Sequence, residues 1–245
     1  MKRILFLLYG VISYFIFFGT ILYAIGFVGN LFVPKSIDGP AAMPLAKAVL
    51  INASLLLVFA LQHSIMARPA FKRWWTRFVP EPAERSTYVL IASLCLLLMM
   101  WQWQPIGGVV WVIESSLLKT ILVSAYAFGW ALVFISTFLI NHFDLFGLRQ
   151  TWLYFTGRKY TSLPFRTPLF YRFVRHPLYL GFLIAFWSTP VMTVAHILFA
   201  MLTTGYILTA IVFEEKDLEA HFGESYVTYK QNSSKIIPFL RRNRK

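Results

Sequence analysis

Residues Leu178–Phe213 read LYLGFLIAFWSTPVMTVAHILFAMLTTGYILTAIVF, 36 positions without one Asp, Glu, Lys or Arg. As a single straight helix this run would extend about 54 Å at 1.5 Å per residue. A bilayer core is about 30 Å thick. Containing the run within it would need a tilt of about 56°, past the usual range of about 0–40°. Ser188-Thr189-Pro190 interrupts the run, and proline lacks a backbone donor and clashes with the preceding turn. The stretch therefore predicts a helical hairpin or re-entrant pair that bends near Pro190, with a first arm too short to guarantee a full crossing.

Outward from the hairpin, four more apolar runs meet or approach the roughly 20 residues that a spanning helix needs: Ile4–Val33, Ala48–Met66, Tyr88–Trp103 and Thr120–Ile140. The first opens with Met1-Lys2-Arg3, as a signal peptide does, but it far exceeds a signal's apolar core of about 7–15 residues. It reads as an uncleaved first span. Composition agrees: 58% of the 245 residues are hydrophobic, only 13% are charged, and mean hydropathy is +0.63. A soluble domain carries roughly 25% charged residues, and half that cannot clothe a globule. The expectation is one all-α integral membrane domain over 1–245 with about five to six transmembrane helices. The spans fall near 4–33, 48–66, 86–106 and 118–140, with the hairpin at 178–213 and cytoplasmic segments at 141–177 and 214–245.

The net charge of +13 could suggest nucleic acid, but its placement argues for a lipid bilayer. On this topology 20 of the 23 lysines and arginines fall on one side, leaving only Lys35, Lys47 and Lys119 on the other. The positive-inside rule then puts both termini in the cytoplasm, and cations at those boundaries attract anionic headgroups. A single unbroken last span would expose the tail's seven cations on the outer face, so the hairpin is preferred. Trp74, Trp75 and Trp152 suit the inner interface, and Trp101, Trp103 and Trp111 the outer one. The lone Cys95 excludes an intrachain disulfide and reads as a small buried hydrophobe.

Polar chemistry gathers in two places. Five of the ten acids, Glu214, Glu215, Asp217, Glu219 and Glu224, sit where the last helix leaves the membrane. Acids at such depth are costly unless paired, so a ligand site and a solvated end paired with Lys216 and Lys230 both stay open. Glu214 and Glu215 point about 100° apart on a helix and cannot face one ligand alike. The second place is Arg175-His176-Pro177-Leu178-Tyr179-Leu180-Gly181. Pro177 can begin a helix, whose free N–H groups would suit an anion. Arg175 offers a fork for a carboxylate, and Gly181 permits a close neighbour. An ordinary basic helix start stands as the alternative. The histidines form no His-x-x-x-His or His-His pair, so no metal site is expected, nor is there a glycine-rich phosphate loop. His63, near Arg68, and His142, with Asn141 and Asp144, lie at cytoplasmic ends of spans and could line an inward cavity.

Arg175–Gly181, followed by Glu214-Glu215-x-x-Leu218, Phe222-Gly223-Glu224-x-Tyr226-x-x-Tyr229 and Pro238, resembles the isoprenylcysteine carboxyl methyltransferase superfamily over about the last third of the chain. His63–Arg68, Phe71-Lys72, Glu84–Tyr88 and Asn141–Gln150 extend the likeness to nearly the whole length, where it resembles the bacterial methanethiol S-methyltransferases and the NnrU membrane proteins. Membrane sterol reductases share a similar hairpin but carry Asn and Glu where this chain has Leu178 and Phe182, which counts against NADPH chemistry.

The resemblance implies a bacterial inner-membrane enzyme that uses S-adenosylmethionine to methylate a small thiol, methanethiol, to dimethyl sulfide. Another methyltransferase of the superfamily, or a non-enzymatic NnrU-like protein, stands as the alternative. It assigns Arg175, His176, Pro177 and Gly181 to the hairpin start and the cofactor's carboxylate end. Tyr179, Tyr226 and Tyr229 fall against the sulfonium or adenine, and Glu214 or Glu215 at the ammonium or ribose. His142, oriented by Asp144, is the candidate base or thiolate stabiliser.

Overall fold

The computed structural model describes residues 1–238; the basic tail residues Arg241, Arg242, Arg244 and Lys245 lie outside them. Ten α-helices, one 3-10 turn (Leu169–Arg172) and two short strands follow one another among the described residues. The helices are α1 (Lys2–Gly29), α2 (Leu45–Ala67), α3 (Pro69–Trp75), α4 (Glu81–Gln102), α5 (Ser116–Ile140), α6 (His142–Leu145), α7 (Leu148–Phe155), α8 (Pro177–Trp187), α9 (Val194–Phe222) and α10 (Glu224–Asn232). The strands, β1 (Val109–Val112) and β2 (Val191–Thr193), pair with each other. Five helices, α1, α2, α4, α5 and α9, are long and apolar enough to cross a bilayer. The fold is thus an all-α integral membrane fold.

The hairpin bends where proline sits. α8 has 11 residues, about 16 Å at 1.5 Å each, too short for a crossing. Its last turn ends with Ser188 N–H on Ile184 O, and the chain stays non-helical through Pro190 into β2. α1 stops at Gly29 although the apolar run continues to Val33. Asn30 takes the left-handed conformation (φ 55°), and its N–H caps the carbonyl of Gly26; this αL cap ends a helix regardless of hydropathy. α4 starts at Glu81, earlier than the apolar run, because Pro82 favours a first turn and Glu81 and Glu84 complement the positive helix end.

The chain divides into two compact units. One comprises 1–110, 142–161 and 192–198; the other comprises 111–141, 162–191 and 199 onward. In the first, α1 packs on α4 and α7, and α2 on α4. Met66, Tyr88 and Val89 form a core there with Phe17, Phe71, Trp75 and Phe146 around them. Outward faces of the same helices stay apolar, as at Leu5, Leu8, Ile12 and Phe15 on α1, a pattern that lipid satisfies and water does not. Trp74, Trp101 and Trp152 are exposed as interfacial anchors should be, but Trp103 is fully buried. Its Nε1 donates to Ile37 O at 3.1 Å, so it anchors a loop rather than the bilayer surface.

In the second unit α5 packs on α8. The two backbones touch through Gly129 and Gly181: a Cβ on either would stand 2.7 Å from the other's carbonyl oxygen. Trp130 meets Phe182 edge-on at 5.7 Å, and Phe186 meets Phe199 of α9 at 4.9 Å. Small residues at the crossing and aromatics around it hold α8 closely against α5.

Candidate active site

The start of α8 is fixed by the C-terminal segment. Ser234 N–H donates to Phe173 O (3.1 Å), Arg175 N–H to Ser234 O (2.8 Å), and His176 N–H to Lys235 O (3.2 Å), with a parallel bridge between Val174 and Ser234. Pro177 then opens α8 at its first position, where its missing N–H costs nothing. The residues after α10 thus hold the Arg-His-Pro turn in place.

Side chains complete the knot. Arg175 Nε donates to Glu215 Oε1 at 2.8 Å, and its Nη1 donates to the carbonyls of Lys230, at 2.9 Å, and Ser233. His176 Nε2 lies 3.2 Å from the same Glu215 oxygen, and Lys230 Nζ lies 3.3 Å from Oε2. Lys230 also binds Glu219. The Arg175, His176 and Glu215 side chains are 8%, 4% and 5% exposed, so this is a buried ion network with its lone pairs filled. Hydrogen bonds of that kind, with both partners charged, are the strong ones.

Glu214 faces another way, as the 100° step between neighbours requires. It accepts from Tyr179 Oη at 2.8 Å and is part-exposed. Tyr226 is 2% exposed, its ring meets Phe165 at 5.9 Å and Tyr229 at 5.8 Å, and its hydroxyl has no partner among the described residues. Burial, reinforced by the Glu215 and Glu214 carboxylates, pushes its phenol above the ordinary value, with Arg175 opposing. Tyr229 donates to Tyr171 O at 2.5 Å, and burial pushes its phenol up to about 12. Both rings stay protonated donors.

The second unit therefore brings together Arg175, His176, Pro177, Tyr179, Gly181, Glu214, Glu215, Tyr226 and Tyr229. Within that group Arg175 and Glu215 are bound to each other. Lys230, Ser233, Phe165 and Tyr171 belong to the same cluster. Of these, Lys230 alone was signalled by sequence, as a partner for the acids.

His142 and Asp144 belong to the first unit. His142 is 3% exposed, and its Nε2 shares a 2.8 Å hydrogen bond with Tyr14 Oη. Phe146 lies 4.8 Å away edge-on. Burial lowers the imidazole below its ordinary 6.5. Asp144 pairs with Arg149 at 2.8 Å and accepts from Tyr160 at 3.3 Å. Arg85 Nε donates to Leu145 O at 2.7 Å, fixing the short α6 that carries both. His63 shares a 3.0 Å contact with Tyr88 Oη, and the Arg85 guanidinium lies 4.9 Å from that tyrosine's ring centre.

No family model matches the chain, and no solved structure matches it. Whole-length relatives are informative. The chain is 55% identical over 240 residues to a methanethiol S-methyltransferase of Crocosphaera subtropica, covering 98% of this chain and 94% of the relative. It is 51% identical over 243 residues to that of Mycobacterium tuberculosis, covering 99% and 100%. Nurim of Sus scrofa is 30% identical over 173 residues, 67% of this chain and 65% of its own. In both methanethiol S-methyltransferases, identity above one half runs along nearly the full length of both chains. The chain belongs to the methanethiol S-methyltransferase family.

Proposed function

We propose that this protein transfers a methyl group from S-adenosylmethionine to methanethiol, releasing dimethyl sulfide and S-adenosylhomocysteine. The acceptor is carried over from the activity named for relatives 51–55% identical along nearly their whole length. The reading extends to a bacterial inner membrane with both termini and the cofactor cluster on the cytoplasmic side, as the distribution of cations favours.

The observation that carries the donor assignment is the buried Tyr226 hydroxyl with no partner among the described residues, beside a part-exposed carboxylate at Glu214. An orphaned buried hydroxyl costs free energy unless a ligand completes it, and a sulfonium nucleoside with an ammonium and hydroxyls suits such a donor set. Bound there, the cofactor would supply an electrophilic methyl group. Glu214 would accept from the ammonium or ribose, and Tyr179, Tyr226 and Tyr229 would offer ring faces to the cation or the base. Arg175 and Glu215 fit a supporting part, since each neutralises the other while they hold the Arg-His-Pro turn.

Thiolate and sulfonium annihilate their charges in the transition state. Water stabilises the separated charges and slows the step, so a dry aromatic site speeds it by positioning and by excluding solvent. The nucleophile is the thiolate, and His142 of the Asn141–Gln150 segment is proposed as the base, with Asp144 beside it.

Headspace gas chromatography of the detergent-purified chain with methanethiol and S-adenosylmethionine tests the reading. Dimethyl sulfide should accumulate, and hydrogen sulfide should be the poorer acceptor. Absence of product with every small thiol would leave a membrane protein of another function.

A further inference from the structure

Outside the proposed cofactor residues, the same unit holds a serine hydroxyl with no partner among the described residues and a tyrosine hydroxyl held only by one long bond. Ser136 of α5 is fully buried, and its Oγ has no partner among the described residues. Hydroxyls inside spanning helices usually bond the carbonyl three or four residues back, as Thr137 does to Phe134, Ser93 to Val89 and Thr203 to Phe199. Ser136 does not. It lies one turn beyond Val133, whose backbone N and Cγ2 would both stand 2.9 Å from a Cβ on Gly181. Positions three apart share a helix face, so Ser136 belongs to the face that meets α8.

Tyr171 reaches the same place. Its hydroxyl donates to Ser136 O at 3.5 Å, the outer limit of a hydrogen bond. Its own carbonyl is held by Tyr229 at 2.5 Å, which ties it to the cofactor cluster. The 3-10 turn that carries it, Leu169–Arg172, begins with Leu169 at φ 42°. That side chain is 61% exposed, so packing does not compensate the strained backbone, and strain of this kind gathers at functional positions. Burial first, then the Glu214 carboxylate and Tyr229, raise the Tyr171 phenol, opposed by its bond to Ser136. The ring is a neutral donor.

We propose that Ser136 and Tyr171 hold the acceptor sulfur, the serine hydroxyl donating one hydrogen bond to the thiolate and the phenol giving up its long bond to Ser136 O to donate a second. This rests on the thiol-methylation reading above. The thiol gives its S–H proton to the base. A sulfur lone pair then forms the new S–C bond while the methyl's bond to the donor sulfur breaks, both electrons remaining on that sulfur. Neutral donors suit the step better than a lysine would. A full cation would hold the thiolate more tightly than the uncharged product and so raise the barrier, because only interactions kept in the transition state accelerate the reaction. Two hydroxyls orient the nucleophile at smaller cost.

The test uses the full chain in detergent and a binding readout free of turnover. Methanethiol is titrated calorimetrically into protein saturated with S-adenosylhomocysteine, and S-adenosylhomocysteine is titrated alone. In Tyr171→Phe the methanethiol Kd should rise about tenfold, as loss of a hydrogen bond to a charged group predicts, with KM rising in parallel and S-adenosylhomocysteine affinity kept within about twofold. Ser136→Ala should show the same split, about threefold in methanethiol Kd. The Ser136→Ala arm decides alone if Tyr171→Phe does not fold. Unchanged methanethiol affinity in the folded variants, or an equal loss for both ligands, overturns the assignment while leaving the methylation reading intact. Wild-type protein that neither binds methanethiol nor methylates it overturns both.

Discussion

Arg175 and Glu215, 40 residues apart in sequence, meet at 2.8 Å with both side chains more than nine-tenths buried. One residue precedes α8 and the other sits on the last turns of α9, so the pair closes the hairpin on itself. Desolvating two charges is repaid only when geometry is good and the remaining lone pairs are filled. Here His176 and Lys230 fill the carboxylate, and two carbonyls fill the guanidinium.

Removing one partner should therefore cost more than removing both. Glu215→Ala leaves a buried guanidinium uncompensated and is expected to lose about 3–5 kcal/mol. The double variant Arg175→Met, Glu215→Leu should recover much of it. Thermal unfolding in detergent gives the ordering, and additive losses would show that the two residues act independently. Calorimetry on the folded double variant should show weakened S-adenosylmethionine binding, since the Arg-His-Pro turn loses its tie. His176→Ala is expected to weaken donor binding as well.

The α5–α8 crossing holds the helix that follows that turn. Gly181→Ala and Gly129→Ala each place a methyl 2.7 Å from a backbone oxygen, and backbone cannot rotate aside. Each should lose about 1–3 kcal/mol by overpacking. Gly205→Ala, with nothing within 4 Å of its Cβ, should gain slightly from better helix propensity. Melting temperatures of the three variants discriminate: equal shifts would deny that the crossing is tight.

The spans were legible because length and hydropathy alone set them, and the bend at Pro190 was legible because proline removes a donor. The meeting of Arg175 with Glu215 was not. α8 runs 11 residues and α9 runs 29, so the two arms are unequal, and spacing along them does not tell which residues come level. The resemblance put Arg175 at one end of a ligand and Glu214 or Glu215 at the other, and spacing could not show that Arg175 and Glu215 bind each other. Trp103 failed differently: an aromatic at the end of an apolar run looks interfacial until a loop carbonyl, here that of Ile37, is found to bind it. Tyr171 left no signal at all, being one aromatic among 12 tyrosines and 24 phenylalanines.

Gly147 makes a sharper test of the first unit. Its φ is 87°, and a Cβ there would lie 2.5 Å from Ser86 Oγ and 2.7 Å from Ser86 N. Left-handed backbone alone costs alanine about 1–2 kcal/mol, and the clash with α4 adds to it. Gly147→Ala should lower thermal stability and reduce turnover, since α6 with His142 directly precedes it. A variant with wild-type melting and activity would mean that the α6–α7 turn is free to move.

His142 links burial to pH. Burial disfavours the charged ring, so its pKa in the folded protein lies below 6.5 and the imidazole is neutral near pH 7. The unfolded chain binds the proton at higher pH than the folded one. Stability from this group is thus complete above 6.5 and declines as the pH falls from there toward the lowered folded value. His142→Gln should flatten that acidic decline in a pH series of melting temperatures. If the ring is also the base, His142→Ala should lower kcat about 10²-fold while S-adenosylmethionine affinity stays within about twofold. Wild-type turnover in that variant would remove the base assignment and leave the buried neutral ring, bonded to Tyr14, as a packing element.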